Sequence, residues 1–211
     1  GYGKQLVHFL NFLFEYNYTQ MFKINREVKT RPEIKEKITL GDQEIFKIFE
    51  NLDYKNSNFK TAIYLLFYTG LRSSDLLTIT ADRIDFNEQK ISYYSPKRKV
   101  YREVAFHHDL IPILKSRINE VKEGPLITYS KVESLGQCVT GYFKTIGLID
   151  KHYTARTFRK TFITLCRSRY DMEAAIVREL VGHEHANTTD RYYNQISVRR
   201  MKEELKKFKR P

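Results

Sequence analysis

The stretch RIDFNEQKISYYSPKRKVYREVAF, residues 83–106, decides the fold class, because mainly apolar side chains recur in it at every second position. The alternating sets are Ile84 and Phe86, then Ile91 and Tyr93, and finally Val100, Arg102, Val104 and Phe106. A two-residue period with turn residues between the runs is typical of paired strands. The stretch therefore predicts a small antiparallel sheet of three strands, with Pro96 in the last connection, where proline is tolerated.

Helical periodicity fills the chain on both sides of this predicted sheet. The expected helices cover about 3–22, 42–52, 59–69, 73–78, 108–120, 130–146, 155–169, 172–181 and 196–208. Thr39 and Asp42 form the expected N-cap pair of the second helix, and Gly70 is the expected end of the third. The fold class is thus α+β, mostly α-helical with one small three-stranded antiparallel sheet.

A polar, charged stretch at residues 23–38, which contains Pro32, has the composition of a linker. The helix before it is too short to form a domain by itself. We therefore expect residues 1–38 to be the end of an N-terminal domain plus a linker, and residues 39–211 to be the main domain.

The charge balance indicates a polyanionic partner. Lys and Arg number 37 against 25 Asp and Glu, a formal net charge of +12, which favours nucleic acid over a surface merely rich in lysine. Cys138 and Cys166 fit neither a metal pattern nor a disulfide framework, which suits a reducing compartment. No apolar run is long enough to span a bilayer, so the expected location is the cytoplasm.

Two segments carry charges in patterns that suggest chemistry. In TGLRSSD, residues 69–75, Arg72 and Asp75 are three apart, so the carboxylate can orient the guanidinium; the alternative is a surface ion pair. The turn PKRK, residues 96–99, can reach a DNA groove or a phosphate, or can be a solvated turn that discourages edge pairing.

Two later segments add to them. Arg156 and Arg159 share a helix face, which can clamp a phosphate, although an exposed basic helix has the same pattern. Gly182 precedes His183, and Tyr192 follows that histidine by nine residues. A lone histidine or tyrosine is usually structural, so these residues gain meaning only from the order of all four segments.

That order resembles the tyrosine recombinase family of phage-type integrases and Xer-like enzymes. The resemblance runs from Leu40 to Tyr193 and is carried by TGLRSSDLLTIT, TFRKTFIT and LVGHEHANTTDRYY. It implies a catalytic domain that cleaves and rejoins DNA through a 3′-phosphotyrosyl intermediate. It also implies that residues 1–38 hold the end of the family's core-binding domain, and that the host is a prokaryotic cell, its virus or a plasmid.

The resemblance implies a role for each matching residue. Tyr192 is the nucleophile, and Asp75 is the supporting acid. The implied catalytic cations are Arg72, Arg159, His183 and Lys97, with Lys99 as the alternative to Lys97 as general acid. The implied DNA-binding residues are Lys97, Arg98, Lys99 and Lys160. No cofactor and no metal are expected, and a zinc site at His183 and His185 is disfavoured by their spacing.

One position departs from the family pattern. Arg156 stands where a histidine is usual, and Lys160 stands where a second histidine is common. Arginine keeps the positive charge but does not exchange a proton near neutral pH. Arg156 can therefore stabilise a phosphate but cannot act as a general base, which leaves open which group activates Tyr192.

The expected partners are double-stranded DNA with a specific recombination site and further copies of the chain. An apolar stripe in the last helix, at Val198, Met201, Leu205 and Phe208, can dock on a neighbouring subunit of a homotetramer or fold back on its own domain. Two other functions share much of the pattern: a non-catalytic DNA-binding protein and a nicking enzyme similar to type IB topoisomerases.

Overall fold

The computed structural model describes residues 2–20, 38–183 and 196–211. Contacts divide the chain into two compact units, Gly1–Glu36 and Lys37–Pro211. The predicted linker falls almost wholly outside the described residues. None of the helices in the described part of the chain is long and apolar enough to cross a membrane.

The first unit contains one helix, α1, at Tyr2–Glu15. The helix was expected to continue to residue 22, but it ends seven residues earlier in a turn with Asn17 at φ 57°. The Tyr18 N–H donates to the Leu13 carbonyl at 2.8 Å, which closes the helix end. Asparagine tolerates this left-handed conformation, and that explains the early stop.

The second unit contains eight α-helices and three strands among its described residues. The helices are α2 (Asp42–Glu50), α3 (Ser57–Thr69), α4 (Ser73–Leu76), α5 (Leu110–Val121), α6 (Val132–Thr145), α7 (Ala155–Thr164), α8 (Ala174–Val181) and α9 (Val198–Leu205). The strands are β1 (Ile84–Asp85), β2 (Lys90–Ser95) and β3 (Val100–Ala105). The predicted α+β class is confirmed.

Two further helices, α2 and α7, begin or end differently from the sequence prediction for identifiable reasons. Helix α2 takes Gly41 as its N-cap, with the Glu44 carboxylate accepting from the Gly41 N–H at 2.9 Å. Thr39 lies before the cap, and Asp42 sits inside the first turn, where its charge favours the helix dipole. Helix α7 stops at Thr164 and continues as a π-helical turn over Leu165–Arg169, within the span expected to be one helix.

The sheet has the order β1-β2-β3 and is antiparallel throughout. Ile91 of β2 pairs with Ile84 and with Val104, and Tyr93 pairs with Arg102. Burial alternates along β2, so that Ile91 and Tyr93 face the core. Arg102 lies on the same buried face at 9% exposure, a position that its alternation with Val104 already implied.

Helix α3 is the centre of the core and positions the site. From Phe59 to Thr69 every residue except Lys60 and Tyr64 is buried. The helix packs against α5 and α7, so its C-terminal end at Thr69 lies inside the domain rather than at its surface. The buried end of α3 therefore fixes the position of the backbone that leads to Arg72.

Helix α9 folds back on its own domain. Met201, Leu205 and Phe208 are each at most 2% exposed, and the helix packs against β3 and α8. The Phe208 ring lies 5.2 Å from the Phe162 ring between centroids. Of the two alternatives left open by the sequence, the structure thus has the helix in place on its own core.

Candidate active site

The site begins where α3 ends. Gly70 has φ 60°, a left-handed conformation, and a Cβ added there would lie 2.6 Å from the Phe162 ring. Its carbonyl accepts from Arg159 Nη1 at 2.8 Å. The end of α3 and the middle of α7 therefore meet at a point where only glycine fits. The hydrogen bond to the Gly70 carbonyl fixes the Nη1 side of the Arg159 guanidinium group.

Gly70→Ala is expected to lower the free energy of unfolding by about 2–5 kcal/mol, from left-handed strain and overpacking against Phe162. Gly136→Ala is the matched control, because Gly136 lies within α6 with nothing within 4 Å of an added Cβ. That change should stabilise the protein by about 0.5–1 kcal/mol. Urea unfolding measures both, and a Gly70→Ala protein as stable as wild type would contradict the packing described.

Arg72 is held from two sides. Its Nη2 donates to the Gly182 carbonyl at 3.1 Å, and its Nη1 lies 3.6 Å from Asp75 Oδ2. Asp75 is only 1% exposed, and its Oδ1 accepts from Ser95 Oγ at 3.0 Å. The carboxylate of this ion pair is thus buried, while the Arg72 side chain is 23% exposed, and Asp75 is placed to orient Arg72.

A Schellman turn at the end of α8 presents His183. The Gly182 N–H donates to the Glu179 carbonyl at 3.1 Å, and the His183 N–H donates to the Arg178 carbonyl at 2.9 Å. Gly182 has φ 67°. Because Arg72 bonds the Gly182 carbonyl, this turn brings Arg72 and His183 to the same place although they are far apart in sequence.

These elements enclose a cleft of about 470 Å³. The described residues that line it are Leu71, Arg72, Ser73, Ser74, Lys97, Val132, Ala155, Arg156, Arg159 and His183. None of these is acidic, while four are cationic at neutral pH. The structure therefore brings together Arg72, Lys97, Arg156, Arg159 and His183 from four separate segments of the sequence.

The hairpin between β2 and β3 distinguishes its two lysines. The Ser95 carbonyl accepts from the N–H groups of Arg98 at 3.1 Å and Lys99 at 2.8 Å. Lys97 lines the cleft, whereas Lys99 is exposed with φ 55° and is not among the lining residues. The geometry favours Lys97 over Lys99. Lys160, half-buried on α7, also lies outside the lining residues.

Two guanidinium nitrogens beside the cleft make no hydrogen bond among the described residues. They are Arg72 Nη1, which lies 3.6 Å from Asp75 Oδ2, and Arg159 Nη2, and both atoms are buried. Burial and the nearby Arg72 charge lower the pKa of Arg159 to about 10, which still leaves it protonated at neutral pH. A phosphate oxygen would satisfy such donors and offset the repulsion between the guanidinium groups.

His183 is neutral in this environment. Desolvation, followed by the charges of Arg159 and Arg72, lowers its pKa below the ordinary 6.5. A neutral imidazole has one N–H donor and one nitrogen that can accept a proton. His183 can therefore hydrogen-bond a phosphate through one nitrogen and accept a proton at the other.

Three residues named from the sequence, Tyr192, Tyr193 and His185, lie outside the described residues, and two residues near the cleft were not predicted from the sequence. Sequence reasoning assigned no role to Ser95 or Arg102, although both lie directly behind the cleft. The signal for Arg102 was its place in the alternating set of β3, where an arginine occupies an inward position.

A second cluster lies away from the cleft. His107, His108 and Asp109 have ligand atoms within 4.8 Å of one another, close enough to share a metal ion. The hollow beside them is also lined by Lys206, Lys209 and Arg210. These three cations disfavour a bound metal, and Asp109 already accepts from Tyr68 Oη at 2.9 Å.

The free energy of unfolding is expected to fall as the pH drops below about 6.5, partly through His107. Burial lowers the pKa of this residue, against a smaller opposite effect of Asp109, so the unfolded chain takes up a proton that the folded protein refuses. Above about pH 6.5 His107 is neutral in both the folded and the unfolded state, so its contribution to the free energy of unfolding is fully present. His107→Gln should flatten the pH dependence measured by urea unfolding, and an unchanged slope would contradict this origin.

The phage integrase family model matches residues 39–199. A curated tyrosine recombinase of Pseudothermotoga lettingae is 25% identical over 193 residues, covering 86% of this chain and 66% of that protein. The chain spans between 58% and 66% of the length of the curated relatives that it matches.

Solved structures share the fold. The integrase from mycobacterium phage Brujita superposes with a TM-score of 0.68 at 15% identity, over 95% of this chain and 68% of that chain. A lambda integrase tetramer bound to a Holliday junction superposes with a TM-score of 0.64 at 17% identity, over 90% of this chain and 58% of that chain.

Proposed function

Because the chain belongs to the phage integrase family, we propose that it is a site-specific DNA recombinase that cleaves and rejoins DNA through a 3′-phosphotyrosyl intermediate. The observation that carries the proposal is the cleft, where Arg72, Arg159 and His183 converge and no acidic side chain is found among the described lining residues. A phosphodiester gains negative charge in its pentavalent transition state. Fixed guanidinium forks stabilise that charge more than they stabilise the ground state.

The proposed reaction has two balanced steps. The Tyr192 oxygen bonds to phosphorus, the bond from phosphorus to the 5′ oxygen breaks, and Lys97 gives a proton to that leaving oxygen. A 5′ hydroxyl from a partner strand then attacks the phosphotyrosine and gives its proton to Lys97, while the bond from phosphorus to Tyr192 breaks and the tyrosine regains the proton held by His183. Each step breaks one phosphoester bond and forms another, so no outside energy source is needed.

The neutral His183 is the proposed acceptor of the Tyr192 proton. Arg156 lines the cleft but stays charged, so it can contact the phosphate without taking up a proton. A tyrosine hydroxyl has an ordinary pKa near 10, and the surrounding cations stabilise its phenolate. This assignment accommodates an arginine at the position where the family usually has histidine.

Assembly on DNA follows from the same proposal. The apolar side chains of α1, including Leu6, Phe9 and Phe12, are each about half exposed, which suits a helix that belongs to a larger N-terminal domain. A homotetramer joined through α9 would uncover Met201, Leu205 and Phe208, at about 1.5–3 kcal/mol each. A reciprocal exchange, in which each subunit receives its neighbour's helix, would restore that burial.

The test uses a nicked suicide duplex, with candidate recombination sequences from the source element, and denaturing gels to detect a covalent protein–DNA adduct. An adduct with strand exchange between two duplexes supports a recombinase. An adduct with relaxation of supercoils alone supports a nicking enzyme similar to type IB topoisomerases. DNA binding without an adduct, repeated with the full-length protein, supports a non-catalytic DNA-binding protein.

A further inference from the structure

Arg102 is a buried arginine behind the cleft rather than within it. It is 9% exposed on the inward face of β3, where it pairs with Tyr93. It is not among the residues that line the cleft. A guanidinium group in such a place is costly unless it is paired and hydrogen-bonded, so its partners indicate what it does.

Those partners belong to the turn that presents His183. Arg102 Nη2 donates to the Glu179 carbonyl at 2.7 Å and to Glu179 Oε1 at 2.6 Å. The same carbonyl accepts the Gly182 N–H of the Schellman turn. Glu179 balances the Arg102 charge, so this pair ties β3 to the end of α8 without adding net charge to the cleft.

The guanidinium of Arg102 also occupies the space that Gly182 leaves open. A Cβ on Gly182 would lie 2.1 Å from Arg102 Nη1 and 3.6 Å from Arg72 Nη1. Arg72 in turn bonds the Gly182 carbonyl. Arg72 and Arg102 therefore both approach one glycine, and His183 is the next residue.

We propose that Arg102 is a positioning residue, which holds the Gly182–His183 turn and thereby orients both His183 and Arg72. The proposal rests on the proposed function for its effect on catalysis. A lysine at this position would keep the charge, but it has no planar guanidinium whose Nη1 fills the space beside Gly182 while Nη2 bonds Glu179. Arg102 then affects the rate of DNA cleavage more than the affinity for DNA.

The test compares Arg102→Met and Arg102→Lys with wild type in single-turnover cleavage of the nicked duplex at saturating protein. Arg102→Met is expected to slow cleavage by about 10- to 100-fold, the usual cost of losing a group that orients a catalytic residue. The dissociation constant for DNA should stay within about threefold of wild type, because Arg102 does not line the cleft. Arg102→Lys should recover only part of the rate.

Arg117→Met is the matched control. Arg117 is 8% exposed and donates from Nε to the Leu126 carbonyl at 2.9 Å and from Nη1 to Glu120 at 3.0 Å. It is outside the lining residues, so its loss should lower stability but not the cleavage rate of the folded protein. Equal slowing in both variants, at a temperature where both are folded, would overturn the proposal.

A double-mutant cycle separates positioning from general damage. If Arg102 acts through His183, then Arg102→Met should slow a His183→Ala protein much less than it slows wild type. Arg117→Met provides the additive reference. Rate losses for Arg102→Met and His183→Ala that simply multiply would overturn the proposal.

Hydrogen exchange gives an answer that needs no cleavage. In Arg102→Met the amides of Gly182 and His183 should exchange about tenfold faster or more, since a charge-assisted hydrogen bond to their turn is lost. In Arg117→Met they should exchange as in wild type. If wild type formed no adduct, the proposed function would fail, while unchanged exchange at Gly182 and His183 would overturn the role of Arg102.

Discussion

Replacing Tyr192 by phenylalanine is expected to abolish the covalent protein–DNA adduct while DNA binding stays within a few-fold of wild type. Phenylalanine keeps the ring but has no oxygen to bond to phosphorus, so the proposed phosphotyrosyl intermediate cannot form. Loss of a nucleophile from an intact site lowers the rate by more than about 10³-fold. Denaturing gels with the nicked duplex measure the adduct, and a binding titration measures affinity.

Tyr193→Phe is the control for that experiment, because the two tyrosines are adjacent and chemically identical. It should form the adduct at close to the wild-type level. An adduct that persists in Tyr192→Phe and disappears in Tyr193→Phe would move the nucleophile by one residue. An adduct that survives in both single variants would show that neither tyrosine alone is required.

The sheet was predictable from sequence because one of its faces is buried. A buried face imposes a two-residue period, and residues 83–106 carry that period clearly. The ends of helices were less predictable, because they depend on single residues. Asn17 ends α1 early, and Gly41 rather than Thr39 caps α2, since local backbone conformation and one carboxylate decide each case.

The lining of the cleft was predictable for a different reason. Arg72, Lys97, Arg159 and His183 each stand in a short motif, and the order of these motifs carried the prediction although no single motif did. Their convergence depends on contacts such as Arg72 to the Gly182 carbonyl, across 110 residues of sequence. Periodicity cannot reveal a contact of that kind.

The supporting residues show where reading from the sequence ends. Asp75 could be seen three residues after Arg72, but its burial and its bond to Ser95 depend on the fold. Arg102 meets Glu179 across 77 residues, so only the structure identifies the pair. The apolar stripe of α9 could be identified in the sequence, but its periodicity does not show that Phe208 packs against Phe162 of the same domain.

Arg159→Lys is expected to slow cleavage by about 10²- to 10³-fold, with the dissociation constant for DNA within about threefold of wild type. Arg159 uses Nη1 to bond the Gly70 carbonyl and has Nη2 left without a partner among the described residues. The Nη1 bond thus fixes the guanidinium group beside the cleft, and Nη2 remains as a second donor. A lysine keeps the charge but has one nitrogen on a flexible stem, without two donors held in a rigid plane.

Lys160→Met, on the same helix but outside the lining residues, should give the opposite pattern. If Lys160 contacts a DNA phosphate, its loss weakens affinity and reduces the salt dependence of binding by about one counterion. The cleavage rate at saturating DNA should remain within about threefold of wild type, because no donor to the scissile phosphate is lost. Both variants need thermal unfolding curves, so that rates are compared only for folded protein. A cleavage rate for Arg159→Lys close to wild type would mean that charge alone suffices at this position, and that the geometry of the fork does not contribute to the transition state.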